Sequence, residues 1–214
     1  MGKRTHSFGN PFSSDDPFIG DNKSNIITGD DANNELIGKQ GSDELHGGAG
    51  DDNLSGDQGK DSLFGDDGND TLSGGVGKDL LEGGNGDDTL IGGNGKDVLK
   101  GGAGADTLTG GRGRDTFVFS DLTDGPDTIT DFKSHLDKIG IDFVPGAAET
   151  LDANDFFLST DLSGLGAGQE ALIYDEATGV LSYDADGAGG ADAVEVAHLT
   201  PGTELTKDDF VFLS

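Results

Sequence analysis

The sequence predicts an all-β solenoid of two parallel sheets packed on a thin core of leucine. Three observations predict it. Residues Gly20 to Val118 divide into eleven consecutive nine-residue units with no insertion or deletion. The first position is Gly in every unit, and the eighth is always apolar: Ile27, then Leu36, Leu45, Leu54, Leu63, Leu72, Leu81, Leu90, Leu99, Leu108 and Phe117. The sixth position is Asn25 and Asn34 in the first two units, and Asp in the last nine: Asp43, Asp52, Asp61, Asp70, Asp79, Asp88, Asp97, Asp106 and Asp115. A strict period of this kind outranks other sequence signals, because each unit buries its apolar side chain only against a neighbour.

Within a unit, positions one to six read as a turn and positions seven to nine as a short strand. Side chains alternate along a strand, so position eight points inward while positions seven and nine face water. Residues such as Thr71, Ser73, Thr89, Thr107 and Thr109 suit that wet face. Gly at positions one and four permits the tight turns. One inward Leu per nine residues offsets too little of the backbone entropy for such a coil to fold unaided, and the sixth-position carboxylates repel one another.

The clearest units, GGNGDDTLI (Gly83 to Ile91), GGNGKDVLK (Gly92 to Lys100) and GGAGADTLT (Gly101 to Thr109), follow G-G-x-G-x-D-x-U-x. The block resembles the RTX (repeats-in-toxin) calcium-binding nonapeptide. The resemblance implies a parallel β-roll with eighteen residues per coil. It also implies Ca2+ between turns stacked on one edge, shared by the sixth-position Asp of units i and i+2. Nine Asp-bearing units make seven such pairs (43/61, 52/70, 61/79, 70/88, 79/97, 88/106 and 97/115), hence about seven ions. The repeat block carries 20 acidic and 8 basic residues, a net of -12 that seven Ca2+ nearly neutralise. For one Asp in one turn, turn-shaping alone is the ordinary explanation; nine in register point to metal. Magnesium, which demands near-ideal octahedral geometry and holds its water, fits poorly. Acids at other positions, such as Asp57, Asp66 and Asp67, read as solvated charge or weak secondary ligands.

Composition narrows the function classes. Hydrophobic residues are 32% of the 214, against an ordinary ~45–50%, and 39 residues are Gly. A net charge of -29 makes nucleic acid and anionic membranes poor partners and cations good ones. No window has the apolar length of a membrane helix, so no transmembrane segment is expected. Lys3 and Arg4 precede no apolar run, so no N-terminal signal peptide is expected. Gly2 fails as a myristoylation site because His6 stands where Ser or Thr is wanted. Cys is absent, which suits an exported protein stabilised without disulfides. Without metal, this composition is that of a disordered chain.

The flanks read differently from the block. Residues 1–19, with Phe8, Phe12 and Phe18 among Gly, Asn, Pro and Ser, read as a flexible N-terminal tail, with Phe18 and Ile19 folding over the first unit. Units one and two lack Asp at position six and Gly at position four (Lys23, Ala32), so they read as the solenoid's cap rather than as sites. Past Val118, the spacings Asp127-x-Ile129 and Asp137-x-Ile139 read as degenerate coils. Asp127 and Asp131 either complete a further calcium site or are strand-edge charges. ALIYDEATGVLSYD (Ala171 to Asp184) is a hairpin around Gly179, with a third strand at Ala193 to Leu199. Asp184 to Glu195 partly fits an EF-hand loop but lacks the flanking helices; a glycine-rich turn is the simpler reading. LDANDFFLS (Leu151 to Ser159) and LTKDDFVFLS (Leu205 to Ser214) echo each other, each with a helical-turn start before an apolar run.

Residues 119–214 therefore form the β-rich C-terminal flank, which is similar to that of serralysin-type RTX proteins in its ALIYD-x-x-TG-x-L-x-YD and LT-x-x-DF strings. That resemblance implies export through a type I secretion exporter, which reads Asp209 to Leu213; the same residues also suit a final edge strand. No H-E-x-x-H, G-x-S-x-G or P-loop motif is present, and His6, His46, His135 and His198 are scattered. The expectation is a secreted, extracellular, monomeric calcium-binding protein that is not an enzyme. The alternatives are an adhesin or matrix protein contacting extracellular polysaccharide or a cell surface, and an accessory module of a secreted enzyme.

Overall fold

A computed structural model describes residues 4–7, 17–121, 125–142, 156–158, 170–185 and 193–213 of the chain. Residues 186–192 of the EF-hand-like stretch, most of Leu151 to Ser159, Phe8 and Phe12 lie outside them. The described chain is all-β apart from one 3-10 turn at Lys207–Asp209. Successive repeat strands alternate between two parallel sheets, with odd-numbered units feeding one and even-numbered units the other. Leu72 pairs with Leu90 in one sheet and Leu81 with Leu99 in the other, so a full coil takes eighteen residues. This is the parallel β-roll.

Strand alternation places position eight between the sheets. Leu36, Leu45 and their successors to Phe117 are all 0% exposed, which makes the core a single unbroken column. Positions seven and nine stay half-buried or exposed through most of the block. The strands run longer than positions seven to nine: Thr89–Gly95 carries on through position four of the next unit, as does Thr107–Gly113. Backbone pairing to the coils above and below needs no side chain, so these glycines join the ladder.

Glycine's roles differ in part from the expected ones. Positive φ occurs at position four, as expected, where Gly50, Gly86 and Gly104 have φ of 107°, 126° and 142°. It also occurs at position two, where Lys39, Asp57 and Asp66 have φ of 79°, 66° and 74° and where Gly48, Gly75 and Gly84 stand in other units. Position four is short of space: a Cβ on Gly59 would lie 1.5 Å from the carbonyl oxygen of Gly41 in the coil before.

Both ends of the roll are closed by backbone pairing. Arg4–Ser7, inside the expected flexible tail, is a strand parallel to Asn25–Thr28, and Phe18–Ile19 pairs with Leu36 and Ile37. The open edge of a first coil offers unpaired amides and carbonyls to any nearby backbone, and this recruitment leaves no periodicity in the sequence. At the other end Leu108 pairs with Ile129 and Phe117 with Ile139, so the degenerate coils stack on the roll after slips of three and four residues. Phe210–Phe212 then adds to Lys138–Ile141. Val194–His198 extends the second sheet beyond Asp127–Ile129, followed by the antiparallel hairpin Ala171–Asp175 and Val180–Asp184.

Two substitutions test these roles, with positive φ alone at stake at Lys39 and both positive φ and lack of space at Gly59. Lys39→Gly relieves a left-handed non-glycine residue and is expected to stabilise the folded roll by about 1 kcal/mol. Gly59→Ala drives a methyl into a backbone carbonyl and is expected to cost several-fold more; denaturant unfolding in calcium measures both.

Candidate metal centre

The turn of each unit brings its sixth-position carboxylate beneath the next coil. Odd-numbered units line one edge of the roll with Asp43, Asp61, Asp79, Asp97 and Asp115. Even-numbered units line the other with Asp52, Asp70, Asp88 and Asp106. All nine are at most 3% exposed, which excludes a solvated role. Along each edge, a sixth-position backbone N–H donates to Oδ1 of the carboxylate one coil further on. Asp43 donates to Asp61 at 2.8 Å, Asp61 to Asp79 at 2.9 Å and Asp70 to Asp88 at 2.7 Å. The ladder thus joins units i and i+2, the pairs expected from the sequence.

The second oxygens stand apart. Oδ2 of Asp52, Asp61, Asp70, Asp79, Asp88, Asp97, Asp106 and Asp115 is buried and accepts no hydrogen bond. Leaving a charged acceptor buried and unmatched is costly, so a recurrent orphan oxygen marks a place for a cation. Position one shows what it faces. A Cβ on Gly47 would lie 2.3 Å from Asp52 Oδ2 and 2.6 Å from the carbonyl oxygen of Gly65; on Gly83 the distances are 2.2 Å to Asp88 Oδ2 and 2.5 Å to Gly101 O. Carboxylate and carbonyl oxygen from neighbouring coils therefore converge on a cradle that only glycine leaves open. Among the described residues no three His, Cys, Asp or Glu side chains converge, so any ion must draw on carbonyls. That donor mixture fits calcium, which accepts both oxygen types in a flexible shell.

Burial, opposed by the backbone hydrogen bond and reinforced by neighbouring carboxylates, pushes Asp61 and Asp88 up to about 7, and Asp52 and Asp97 to about 6. Asp70, Asp79, Asp106 and Asp115 are raised for the same leading reason. Lys133 partly counteracts that rise at Asp115.

The ends of the ladders depart from this scheme. Asn25 and Asn34 donate their backbone N–H to Asp43 and Asp52, while their side-chain oxygens accept from the backbone of Asp21 and Asp30 in the same turn. Each Asn Nδ2 also donates to that Asp, so the first two turns close on themselves. Asp127 is buried and continues its ladder by accepting from Asp106 N at 3.1 Å. Asp131 is placed otherwise: its oxygens accept from Gly110 N and Gly111 N, and Lys133 Nζ lies 3.3 Å away.

Two buried carboxylates escaped the sequence reading as ladder or anchor groups. Asp137 accepts from Asp115 N at 3.0 Å, and the signal for it was the Asp137-x-Ile139 spacing. Asp209 accepts from His135 N, Ser134 Oγ, Thr206 N and Thr206 Oγ1; nothing periodic announces it. Asp57, Asp66 and Asp67 are exposed, as expected of solvated charge. His46 stacks on Phe64 at 4.6 Å, and His198 pairs with Glu195.

Fold and site together define a class, a nonapeptide roll with a ladder of buried carboxylates along each edge. Residues 12–45, 46–81 and 82–117 match the family model for the RTX calcium-binding nonapeptide repeat, and this block of the chain belongs to that family. No curated protein matches the chain. Similar solved structures include the AlgE6R2 subunit of a mannuronan C5-epimerase from Azotobacter vinelandii, at 23% identity over 95% of this chain and 96% of that one, with a TM-score of 0.31. The AlgE6R3 subunit of the same organism's epimerase is 22% identical over 95% and 86%, with a TM-score of 0.21. The extracellular lipase LipA of Serratia marcescens is 15% identical, covering 94% of this chain and 41% of that one, with a TM-score of 0.27.

The raised carboxyls set the pH behaviour of the metal-free chain. A folded-state value above the ordinary 3.8 favours the fold only while the group is protonated, so this contribution is fully present below 3.8, falls as pH rises from there and is gone above about 6 to 7. In chelator, circular dichroism should show β-structure falling across that range, whereas saturating calcium should keep it at neutral pH.

Proposed function

We propose that the chain is a secreted calcium-binding protein whose roll folds on taking up Ca2+ outside the cell, and that its own role is not catalytic. Repeats of this family are typical of secreted proteins. The observation that carries the reading is the row of buried carboxylate oxygens without hydrogen-bond donors, which in the turns of Asp52, Asp61, Asp70, Asp79, Asp88 and Asp97 are set against a carbonyl of the next coil. Asp43, Asp52, Asp61, Asp70, Asp79, Asp88, Asp97, Asp106 and Asp115 would hold about seven ions between successive coils. Asp127 and, through Asp115, Asp137 extend the ladders; Asp131 serves as a bracket to Gly110 and Gly111. When bound, calcium supplies the positive charge that lets these carboxylates stay ionised inside the roll. Coupling of binding to folding follows, because the sites exist only when coils stack.

The same reading accounts for export. A metal-free polyanion of this composition stays unfolded and threads an exporter, C-terminus first. Asp209 and Phe210 lie buried in the folded chain, so the segment Asp209 to Leu213 would be read before folding closes it. Among the described residues no helix is long and apolar enough to cross a membrane.

Calorimetric titration with parallel circular dichroism tests the proposal. The expected result is a cooperative gain of β-structure with about seven ions bound; a roll equally folded in excess chelator at neutral pH would overturn it. Asp79→Asn keeps the acceptor for Asp61 N but removes charge from two adjacent pairs, and is expected to lower the ion count by at least one.

A further inference from the structure

All eight basic residues of the repeat block lie in odd-numbered units, and the even-numbered units have none. Because odd and even turns occupy opposite edges, the roll carries its cations on one side. Lys23, Lys39, Lys60, Lys78, Lys96, Arg112 and Arg114 belong to turns of that edge, and all are exposed. At position five the alternation is sharpest: Lys60, Lys78, Lys96 and Arg114 follow one another at eighteen-residue intervals, against Asn33, Asp51, Asn69 and Asp87 opposite.

The two columns do different work. On the second edge the position-five side chains are acceptors for the backbone of the next coil. Asn33 Oδ1 accepts from Asp51 N at 3.0 Å, Asp51 Oδ1 from Asn69 N at 3.0 Å, Asn69 Oδ1 from Asp87 N at 2.8 Å and Asp87 Oδ1 from Ala105 N at 2.9 Å. Lysine and arginine have no acceptor to offer, so their side chains add nothing to that backbone ladder. Among the described residues Lys60, Lys78, Lys96 and Arg114 form no salt bridge, whereas Lys100 pairs with Glu82 at 2.9 Å and Lys133 with Asp131. Neighbouring parallel strands lie about 4.8 Å apart, so four unpaired cations repeat at roughly that rise along a rigid axis.

We propose that the column Lys60, Lys78, Lys96 and Arg114 is a docking stripe for a linear acidic polysaccharide bearing one carboxylate per sugar. Such a chain presents its charges singly, one per sugar, and rotation about its glycosidic bonds lets successive carboxylates turn toward a row of cations. The proposal rests on the calcium-loaded roll: Asp61, Asp79, Asp97 and Asp115 lie directly behind the stripe, and their charge cancels it unless a cation is bound. A second copy of the chain, offering its acidic edge, is the poorer occupant because Asp51 and Asp87 already cap backbone amides. Duplex nucleic acid spaces its phosphates on a helical path rather than in a straight row.

The test is binding of the full chain in calcium to a short oligogalacturonate too small to gel, with neutral dextran oligomers and duplex DNA as controls. The expected result is salt-sensitive binding to the oligogalacturonate alone. The combined variant Lys60→Gln, Lys78→Gln, Lys96→Gln and Arg114→Gln should lose at least about tenfold in affinity, with the calcium stoichiometry unchanged. Equal binding by the variant, equal binding to DNA, or self-association through the stripe in place of glycan binding overturns the proposal. A native chain that folds in calcium yet ignores the oligogalacturonate also overturns it. Failure to fold in calcium would instead overturn the calcium reading. Should the fourfold variant fold poorly, Lys78→Gln with Lys96→Gln carries the same comparison.

Discussion

The hydrogen bond from a sixth-position N–H to the carboxylate one coil ahead is the contact on which the rest of the roll depends. It places an acidic side chain under a neighbouring turn, where burial is nearly complete. One oxygen is thereby satisfied and the other is left facing a carbonyl. The leucine column supplies the remaining cohesion, but it is only one side chain wide, and a column so thin cannot confine nine buried carboxylates by itself. Everything distinctive about the chain follows from that imbalance: the glycine content, the excess of negative charge and the reliance on a cation.

Position eight and position six were legible because each makes the same demand in every coil. A repeat copies its environment along with its residues, so a side chain that faces inward once faces inward eleven times. Position two was not legible. Six of its last nine occupants are Gly, but Lys39, Asp57 and Asp66 adopt the same left-handed turn, which obscures the backbone requirement behind ordinary surface residues. The glycine at position one looked like a conformational device and turned out to be a matter of room. Both kinds of glycine look identical in a sequence; only the atoms opposite tell them apart.

The flanks were harder to read because their contacts are made once. Arg4–Ser7 pairs with Asn25–Thr28 as a parallel strand, and backbone pairing leaves no mark in side-chain pattern. Asp209 gathers four donors from two segments more than seventy residues apart in sequence, a meeting that local spacing does not encode. Asp131, which the spacing offers as a calcium ligand or a strand-edge charge, uses its oxygens to bracket the amides of Gly110 and Gly111. At the start of the roll, substituting Asn for Asp lets Asn25 and Asn34 close their turns with Asp21 and Asp30, which explains physically why these two units can stand at an open end.

The eighteen-residue coil has a consequence for how such a chain can be inherited. The repeating word is nine residues long, but from unit five to the end of the block the two edges spell it differently, with Lys60, Lys78, Lys96 and Arg114 at position five on one side and Asn69, Asp87 and Ala105 on the other. Losing or gaining one word would keep the leucine column intact while placing every downstream cation on the edge opposite its upstream counterparts and breaking the acceptor column at the junction. Losing or gaining two words would leave each edge as it was. The heritable unit of this protein is therefore the pair, and a lineage that changes its length should do so in whole coils.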